Sequence, residues 1–552
     1  MTKKLLLLAL VSGLSCLIFA LPPQWEAYQK DIGIQAGQFR DSALHQEYRQ
    51  RDTRNYVVGD TKTFWRWNLS VMPPTWIQTP STCRAVGAHS YVFVADSEWN
   101  VHMTQANIDT IMVRLEQNTP NNPNQGAIAM DIDLFGPIPD ELDNDPKLIV
   151  FYSALGSFQG NYFDGYFSAY NQVPEAQAQQ MNPPGHSNEC EMIYMTCYPL
   201  SPIAPIRLSV LAHELEHLIH WGQDPYEESW LDEGCAELAM VAYGVPDPIS
   251  GFNSNADNDL TAWNQTTADY VKVMLFFTYL QEHYDQTGLI SDLVADPTHG
   301  INSFTTQLAA HFPALSVGEV LRNWNIANAL DDLQPADGLY NYLTLDLPSF
   351  SMTNVNVLPN QTNQGIQAYA ADYLKFARNN QTNSITIQSS APIIITTLLM
   401  NDIGQCYAVL DGTPTDYYNY NPLPLDAYNY IMVLTNHNSS AVTYSYSSTS
   451  VAIQDELVPH SPSTTLSSYP NPFNPSCTIE FSLAQKSPAK LEIFNLRGQK
   501  VRSLLTAELQ SGLQRLQWDG RDDNANPLSS GIYYIRLIAG TQVLTHKTLM
   551  LK

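Results

Sequence analysis

The chain has 552 residues, enough for about three or four domains at roughly 100–200 residues each. It is 44% apolar, 11% aromatic and 15% charged, which argues against disorder over most of its length, because disordered chains are charge-rich and aromatic-poor. Lys and Arg number 27 against 54 Asp and Glu, a net charge of −27, and this argues against nucleic acid as a partner, since phosphate recognition needs a basic face.

Residues 1–20 are predicted to be an export signal. Lys3 and Lys4 precede an apolar run over 5–11 that continues through Leu14, Leu17, Ile18 and Phe19 to Ala20. The run is too short for a spanning helix, and no other window nears 18 uninterrupted apolar residues, so no transmembrane segment is expected in the mature chain. Gly13-Leu14-Ser15 before Cys16 is a poor fit to a lipid-attachment box. The signal's removal leaves Cys83, Cys190, Cys197, Cys235, Cys406 and Cys477, without the paired spacing of a zinc ribbon. In an oxidising compartment, Cys190 and Cys197 are the pair to consider for a disulfide.

The stretch 21–80 mixes Pro, Trp and polar residues and is taken as a leader or short pro-segment passing into a first strand. An α+β domain is expected over 81–335. Runs rich in β-branched and aromatic residues at 90–95 and 148–152 predict buried strands, and 107–115 repeats apolar residues at helical spacing. Leu208, Leu211, Leu215, Leu218 and Ile219 predict a helix ending near Gly222, and a second should start at Ser229 as N-cap and stop at Gly244. Further helices are predicted at 270–284, 304–312 and 317–329. From 340 to 450 helical periodicity gives way to short runs such as Ile393-Ile394-Ile395 and Tyr430-Ile431-Met432-Val433, the pattern of a β-sandwich. A Pro/Ser-rich linker covers 451–468, and 469–552 holds the strands of a second small sandwich. Charge marks this tail as a separate module: residues 21–454 carry 15 basic and 46 acidic side chains, residues 455–552 carry 10 and 8.

The sharpest chemical signal is His213-Glu214-Leu215-Glu216-His217. Residues four apart share a helix face, so His213 and His217 can present two imidazoles to one ion, with Glu214 beside the ion's water as general base. The rest of the helix is apolar, and two histidines and a carboxylate in a core need a common partner. A catalytic zinc site needs a third protein ligand and an open position. His220 would be awkward, because a third ligand from one straight helix fits a tetrahedral ion poorly. The metzincin arrangement needs Gly and His where this chain has His220 and Gln223. Glu233, sixteen residues after His217 on the next predicted helix, is the best candidate. Glu237, one turn further along, is placed to orient His213 through its other ring nitrogen, while Asp232 and Glu216 are expected to face solvent or serve local structure. Asp140, Asp143 and Asp145 could gather Ca²⁺, although a solvated acidic turn would look the same. Cys83 could cap the zinc, against the simpler expectation of a buried thiol or disulfide partner.

With HELEH followed by Trp230-Leu231-Asp232-Glu233-Gly234, the chain resembles the gluzincin metallopeptidases, in particular the hyicolysin-type secreted bacterial peptidases. The resemblance covers roughly 84–330, with motif identity within 213–237, and lacks the GxMEN segment of the aminopeptidase branch. It implies Glu233 as third ligand and endopeptidase activity. It also implies substrate bound as an added strand along 187–195 and an oxyanion-stabilising Tyr or His, for which Tyr243, Tyr226 and His220 stay open.

The tail contains Tyr469-Pro470-Asn471-Pro472-Phe473-Asn474-Pro475, then Asn495-Leu496-Arg497-Gly498-Gln499, Trp518-Asp519-Gly520 and Ser530-Gly531-Ile532-Tyr533-Tyr534. This succession resembles the sorting domain of the type 9 secretion pathway, an immunoglobulin-like fold similar to a domain of the flagellar hook-capping protein. It implies a Gram-negative-type envelope, the secretion machinery as partner, and a secreted or cell-surface location.

The expected fold is multidomain: an α+β zincin-like metallopeptidase domain followed by two all-β immunoglobulin-like sandwiches. The expected function is a zinc-dependent endopeptidase acting on protein or peptide substrates. The competing reading is a non-catalytic surface adhesin or binding protein on an inactive peptidase scaffold. Glu214 discriminates between them, because a scaffold needs no base beside a bound ion.

Overall fold

A computed structural model describes residues 23–42, 55–450 and 465–550, apart from 72, 141, 333, 334, 337, 356–360, 378–381, 402, 403, 412–416, 421–428, 472, 484, 485, 496–498, 511 and 541. The expected signal at 1–20, with Cys16, and the linker over 451–464 lie outside the described residues. The chain divides into two compact units, Met1–Val451 and Ala452–Lys552.

In the first unit a six-stranded sheet runs in the order Thr61–Asn68, Thr75–Val86, Ser90–Ala95, Leu148–Ser153, Met192–Thr196, Gly165–Phe167. Ser90–Ala95 and Leu148–Ser153 are buried at every position and pair in parallel with each other and with Met192–Thr196. Their unbroken apolar runs are what a parallel sheet covered on both faces requires.

The stretch 21–80 departs from the leader expected there. Helix Pro23–Arg40 sends Ile32, Ala36 and Phe39 into the main core. Strands Thr61–Asn68 and Thr75–Val86 pair along the full length of the first. The tryptophans explain why: Trp67 stacks on Tyr166 at 5.0 Å and Trp65 on His186 at 3.7 Å, and rings of that size bury more apolar area than any other side chain. The disulfide considered for Cys190 and Cys197 is absent, and all six described cysteines are buried thiols. The two flank strand Met192–Thr196 at opposite ends; at about 3.3 Å per residue that puts them far beyond the ~7 Å Cα separation a bridge tolerates.

The helices follow. Pro205–Gln223 has Pro in its first turn, where no amide partner is lost. Ser229–Tyr243 begins at Ser229 itself; Glu228 holds the cap position without a side-chain hydrogen bond, so Ser229 is not the N-cap. Gly244 ends this helix at φ 105°, a left-handed conformation that favours glycine. Thr267–Tyr284 opens with a reciprocal capping box between Thr266 and Asp269. Leu289–Val294, Gly300–His311 and Val317–Leu330 complete the helical part.

The region after 340 forms two facing sheets. One has the order Cys406–Asp411, Ile394–Met400, Asn429–Thr435, Ala371–Ala377, Thr353–Val355; the other Gln361–Ile366, Val442–Ser450, Thr382–Ser389, Tyr417–Tyr420. Leu399, Met432 and Leu434 face the second sheet with Ile385 and Ile387. Leu398, Ile431 and Val433, alternating with them, belong instead to the core shared with the helices. The central strands Ile394–Met400 and Asn429–Thr435 are thus buried on both faces, which is why they are continuous apolar runs rather than alternating ones.

The second unit has a three-stranded sheet, Thr465–Tyr469, Cys477–Leu483, Gly512–Trp518, and a four-stranded one, Lys500–Leu509, Ser487–Asn495, Gly531–Ala539, Gln542–Met550. Ile479, Phe481, Leu491, Trp518 and Ile535 fill its core. Its first strand begins at Thr465, within the stretch expected to be linker. Among the described residues no helix is long and apolar enough to cross a membrane.

Candidate metal centre

The helix pair Pro205–Gln223 and Ser229–Tyr243 brings together every residue singled out for the metal. His213 and His217 sit one turn apart, with their Nε2 atoms 3.2 Å from each other. Glu233 Oε2 lies 3.7 Å from His213 Nε2 and 3.8 Å from His217 Nε2. Ligands about 2.0–2.2 Å from a tetrahedral ion stand roughly 3.3–3.6 Å apart, so the triangle fits a zinc ion, and two ring nitrogens and a carboxylate are a zinc donor set.

Around the triangle the outer ring nitrogens are also met by carboxylates. His217 Nδ1 is 3.0 Å from Asp232 Oδ1, and His213 Nδ1 is 3.6 Å from Glu237 Oε1. Glu237 lies toward His213 but beyond hydrogen-bond reach of its Nδ1, whereas Asp232 does not simply face solvent; it pairs with His217 and is held at about 2, because His217 and His220 outweigh the effect of burial. Burial and the neighbouring His217 push His213 well below its ordinary value, so its ring is neutral, the form that offers a lone pair. Glu216, also expected outside the core, is fully buried and bonds His220 Nδ1 at 3.0 Å.

Glu214 lines a cavity with His213, His217 and Glu233. Burial raises its carboxyl to about 7, although it accepts from the backbone N–H of Phe167. The opposite wall is strand Gly165–Phe167, the edge of the six-stranded sheet, paired antiparallel with Met192–Thr196. This corrects the expectation that 187–195 supplies the free edge: Met192–Thr196 is an interior strand, flanked on both sides. A three-residue strand is too short for alternation to register in the sequence. At Gly165 an added Cβ would lie 3.0 Å from Glu214 Cγ and from Met195 Sδ, so the close approach of edge and helix depends on glycine.

Of the oxyanion candidates, His220 is buried against Glu216, and Tyr226 donates to Asp41 Oδ2 at 2.8 Å. Tyr243 is buried in the core. The cavity tyrosines are Tyr166, whose hydroxyl accepts from the Trp67 amide, and Tyr270 at the start of Thr267–Tyr284. Gln29, Lys30 and Gly33 of the first helix also border the cavity, and that helix is anchored by Trp221 Nε1 donating to Gly33 O at 3.1 Å. Cys83 is buried in its strand, with its thiol 3.4 Å from Ala85 O, and it does not line the cavity. In the acidic turn, Asp145 uses one oxygen for the Tyr91 hydroxyl and the other for the Lys147 amide.

Fold and site together describe a helix-borne two-His, one-Glu constellation beside an edge strand, with an immunoglobulin-like module at the carboxyl end. Residues 474–542 match the FlgD Ig-like domain family. No curated protein matches the chain. Among solved structures, one similar chain is PorZ, an essential surface component of the type-IX secretion system of Porphyromonas gingivalis, at 15% identity and TM-score 0.13. Another is dimeric latent PorU of the same organism, at 13% identity and TM-score 0.17. A third is the β-glucuronidase of Faecalibacterium prausnitzii, at 9% identity and TM-score 0.15. The matches span 22%, 38% and 33% of this chain and only 15%, 19% and 38% of theirs.

Proposed function

We propose that the chain is an exported zinc endopeptidase. The observation that carries this reading is the triangle of His213 Nε2, His217 Nε2 and Glu233 Oε2, with edges of 3.2, 3.7 and 3.8 Å, beside the buried Glu214. A zinc ion held by these three groups would supply the Lewis acidity that polarises a scissile carbonyl and acidifies water. Glu214, set near 7 by burial, accepts the proton of the attacking water and returns it to the departing amine. Asp232 holds the His217 ring with its Nε2 turned inward, and Glu237 places a carboxylate on the outer side of the His213 ring. The substrate backbone pairs with the outer edge of Gly165–Phe167, which positions one peptide bond over Glu214. Tyr270, which lines the cavity with Glu214, donates to the developing oxyanion.

The FlgD Ig-like domain at the carboxyl end supports export to the cell surface or beyond, with the secretion machinery as its partner. Zinc content and casein cleavage, measured for the parent and for Glu214→Gln, test the assignment. Retained zinc with cleavage reduced on the order of 10²–10⁴-fold is expected, and undiminished cleavage overturns the role of Glu214.

A further inference from the structure

A second set of metal-ligand atoms lies on the same two helices, turned away from the cavity. Glu216, His220 and Cys235 each bring one donor atom to within 4.8 Å of the others. All three are enclosed, at 0%, 1% and 0% exposure. None of them lines the cavity that holds Glu214. Glu216 Oε1 meets His220 Nδ1 at 3.0 Å, yet Glu216 Oε2 and His220 Nε2 have no hydrogen-bond partner. Beside them, on helix Ala127–Phe135, stands Asp131, also at 0% exposure, with neither carboxyl oxygen hydrogen-bonded. Its carboxyl is pushed well above its ordinary value by burial and by the nearby Glu216.

Buried polar atoms in folded proteins are nearly always paired, and each exception demands an occupant. Here four unpartnered atoms lie on three fully buried residues, two of which gather with the Cys235 thiol. We propose that Glu216, His220 and Cys235 bind a second zinc-class ion, a closed structural site behind the first, with Asp131 available for a fourth bond. One imidazole, one thiolate and one carboxylate are donors that a d-block ion of zinc's softness accepts, whereas Ca²⁺ or Mg²⁺ would not take sulfur. Binding releases the thiol proton of Cys235 and the proton shared by His220 Nδ1 and Glu216 Oε1, whose 3.0 Å separation suits two ligands of one ion. The enclosure means that this ion enters as the chain folds and holds the helix pair together; it has no open position for substrate.

The test uses the full chain loaded with Co²⁺, whose bond to a thiolate gives a near-ultraviolet charge-transfer band that the two-His, one-Glu triangle cannot produce. Expected are two ions per chain, and one ion with the band intact in His213→Ala/His217→Ala. The band should vanish in Cys235→Ser and persist in Cys197→Ser, which controls for the cluster of Glu98, His102 and Cys197. No band in the parent, or a band that survives Cys235→Ser, overturns the site. If Cys235→Ser does not fold, the His213→Ala/His217→Ala chain carrying Cys197→Ser decides alone: one cobalt with the band supports the site, and no bound cobalt overturns it. Loss of casein cleavage in that chain reports only on the first site.

Discussion

Asp232 shows how much one carboxylate could do for the proposed ion without touching it. Its oxygen lies 3.0 Å from His217 Nδ1 and 3.6 Å from His220 Nδ1, so it fixes the proton of the His217 ring on Nδ1 and bridges the two histidines. Asp232→Ala should therefore weaken zinc binding by about 10–100-fold, measured by competition with a chelator, while the fold is retained. An affinity equal to the parent's would remove Asp232 from the site. The sequence made His213 and His217 legible because a repeat of four is a geometric statement about one helix face, while Glu214 and Glu233 came with the motifs around them. Asp232 carried no such statement: next to Glu233 it points about 100° away around the helix, and only the place of the first helix decides whether that direction meets solvent or an imidazole. Tyr270 lay beyond sequence reasoning for the same reason, since 37 residues separate it from Glu233.

At the level of elements, the two motif helices were legible within a few residues, because apolar spacing, Gly222 and Gly244 mark their extent. The edge strand was not, because Gly165–Phe167 is defined by its partner rather than by its own composition. Between helices, contact distance is set by small residues. Gly234 follows the proposed ligand Glu233, and a Cβ there would lie 2.3 Å from the Phe277 ring of Thr267–Tyr284. Overpacking of this kind costs typically 1–3 kcal/mol, against at most about 1 kcal/mol recovered by replacing glycine with alanine in a helix. Gly234→Ala is thus expected to destabilise the chain by on the order of 1 kcal/mol, seen as a lower midpoint in denaturant; a stabilised variant would mean that Phe277 swings aside freely.

For the molecule as a whole, the two units respond to different stresses. In the second unit Glu492 is buried among Lys490 at 2.8 Å, Lys500 at 3.2 Å and Arg536 at 3.3 Å. Its hydrogen bond to Lys490, foremost among these contacts, holds its carboxyl at about 2. A depressed carboxylate stabilises the fold above its ordinary value near 4.5 and ceases to do so as the pH falls towards 2. Amide protection in Ser487–Asn495 should accordingly fall across that window, and Glu492→Gln should flatten the dependence; an equally steep fall in the variant would assign it to other carboxylates. The sequence separated this unit by its charge, by the Pro/Ser-rich stretch before it and by its tail motifs. It gave no comparable sign that the sandwich before it shares a core with the helices, except the apolar runs that a two-faced sheet demands.

That shared sheet bears on any attempt to trim the molecule. A gene cut after codon 340 would strip Asn325 of both its tethers, the Tyr373 hydroxyl on its carbonyl and Thr435 on its amide, and would leave bare the greasy wall on which Leu398, Ile431 and Val433 now rest. The shortened product should clump on expression, whereas one ending at 451 should stay in solution and still cleave casein.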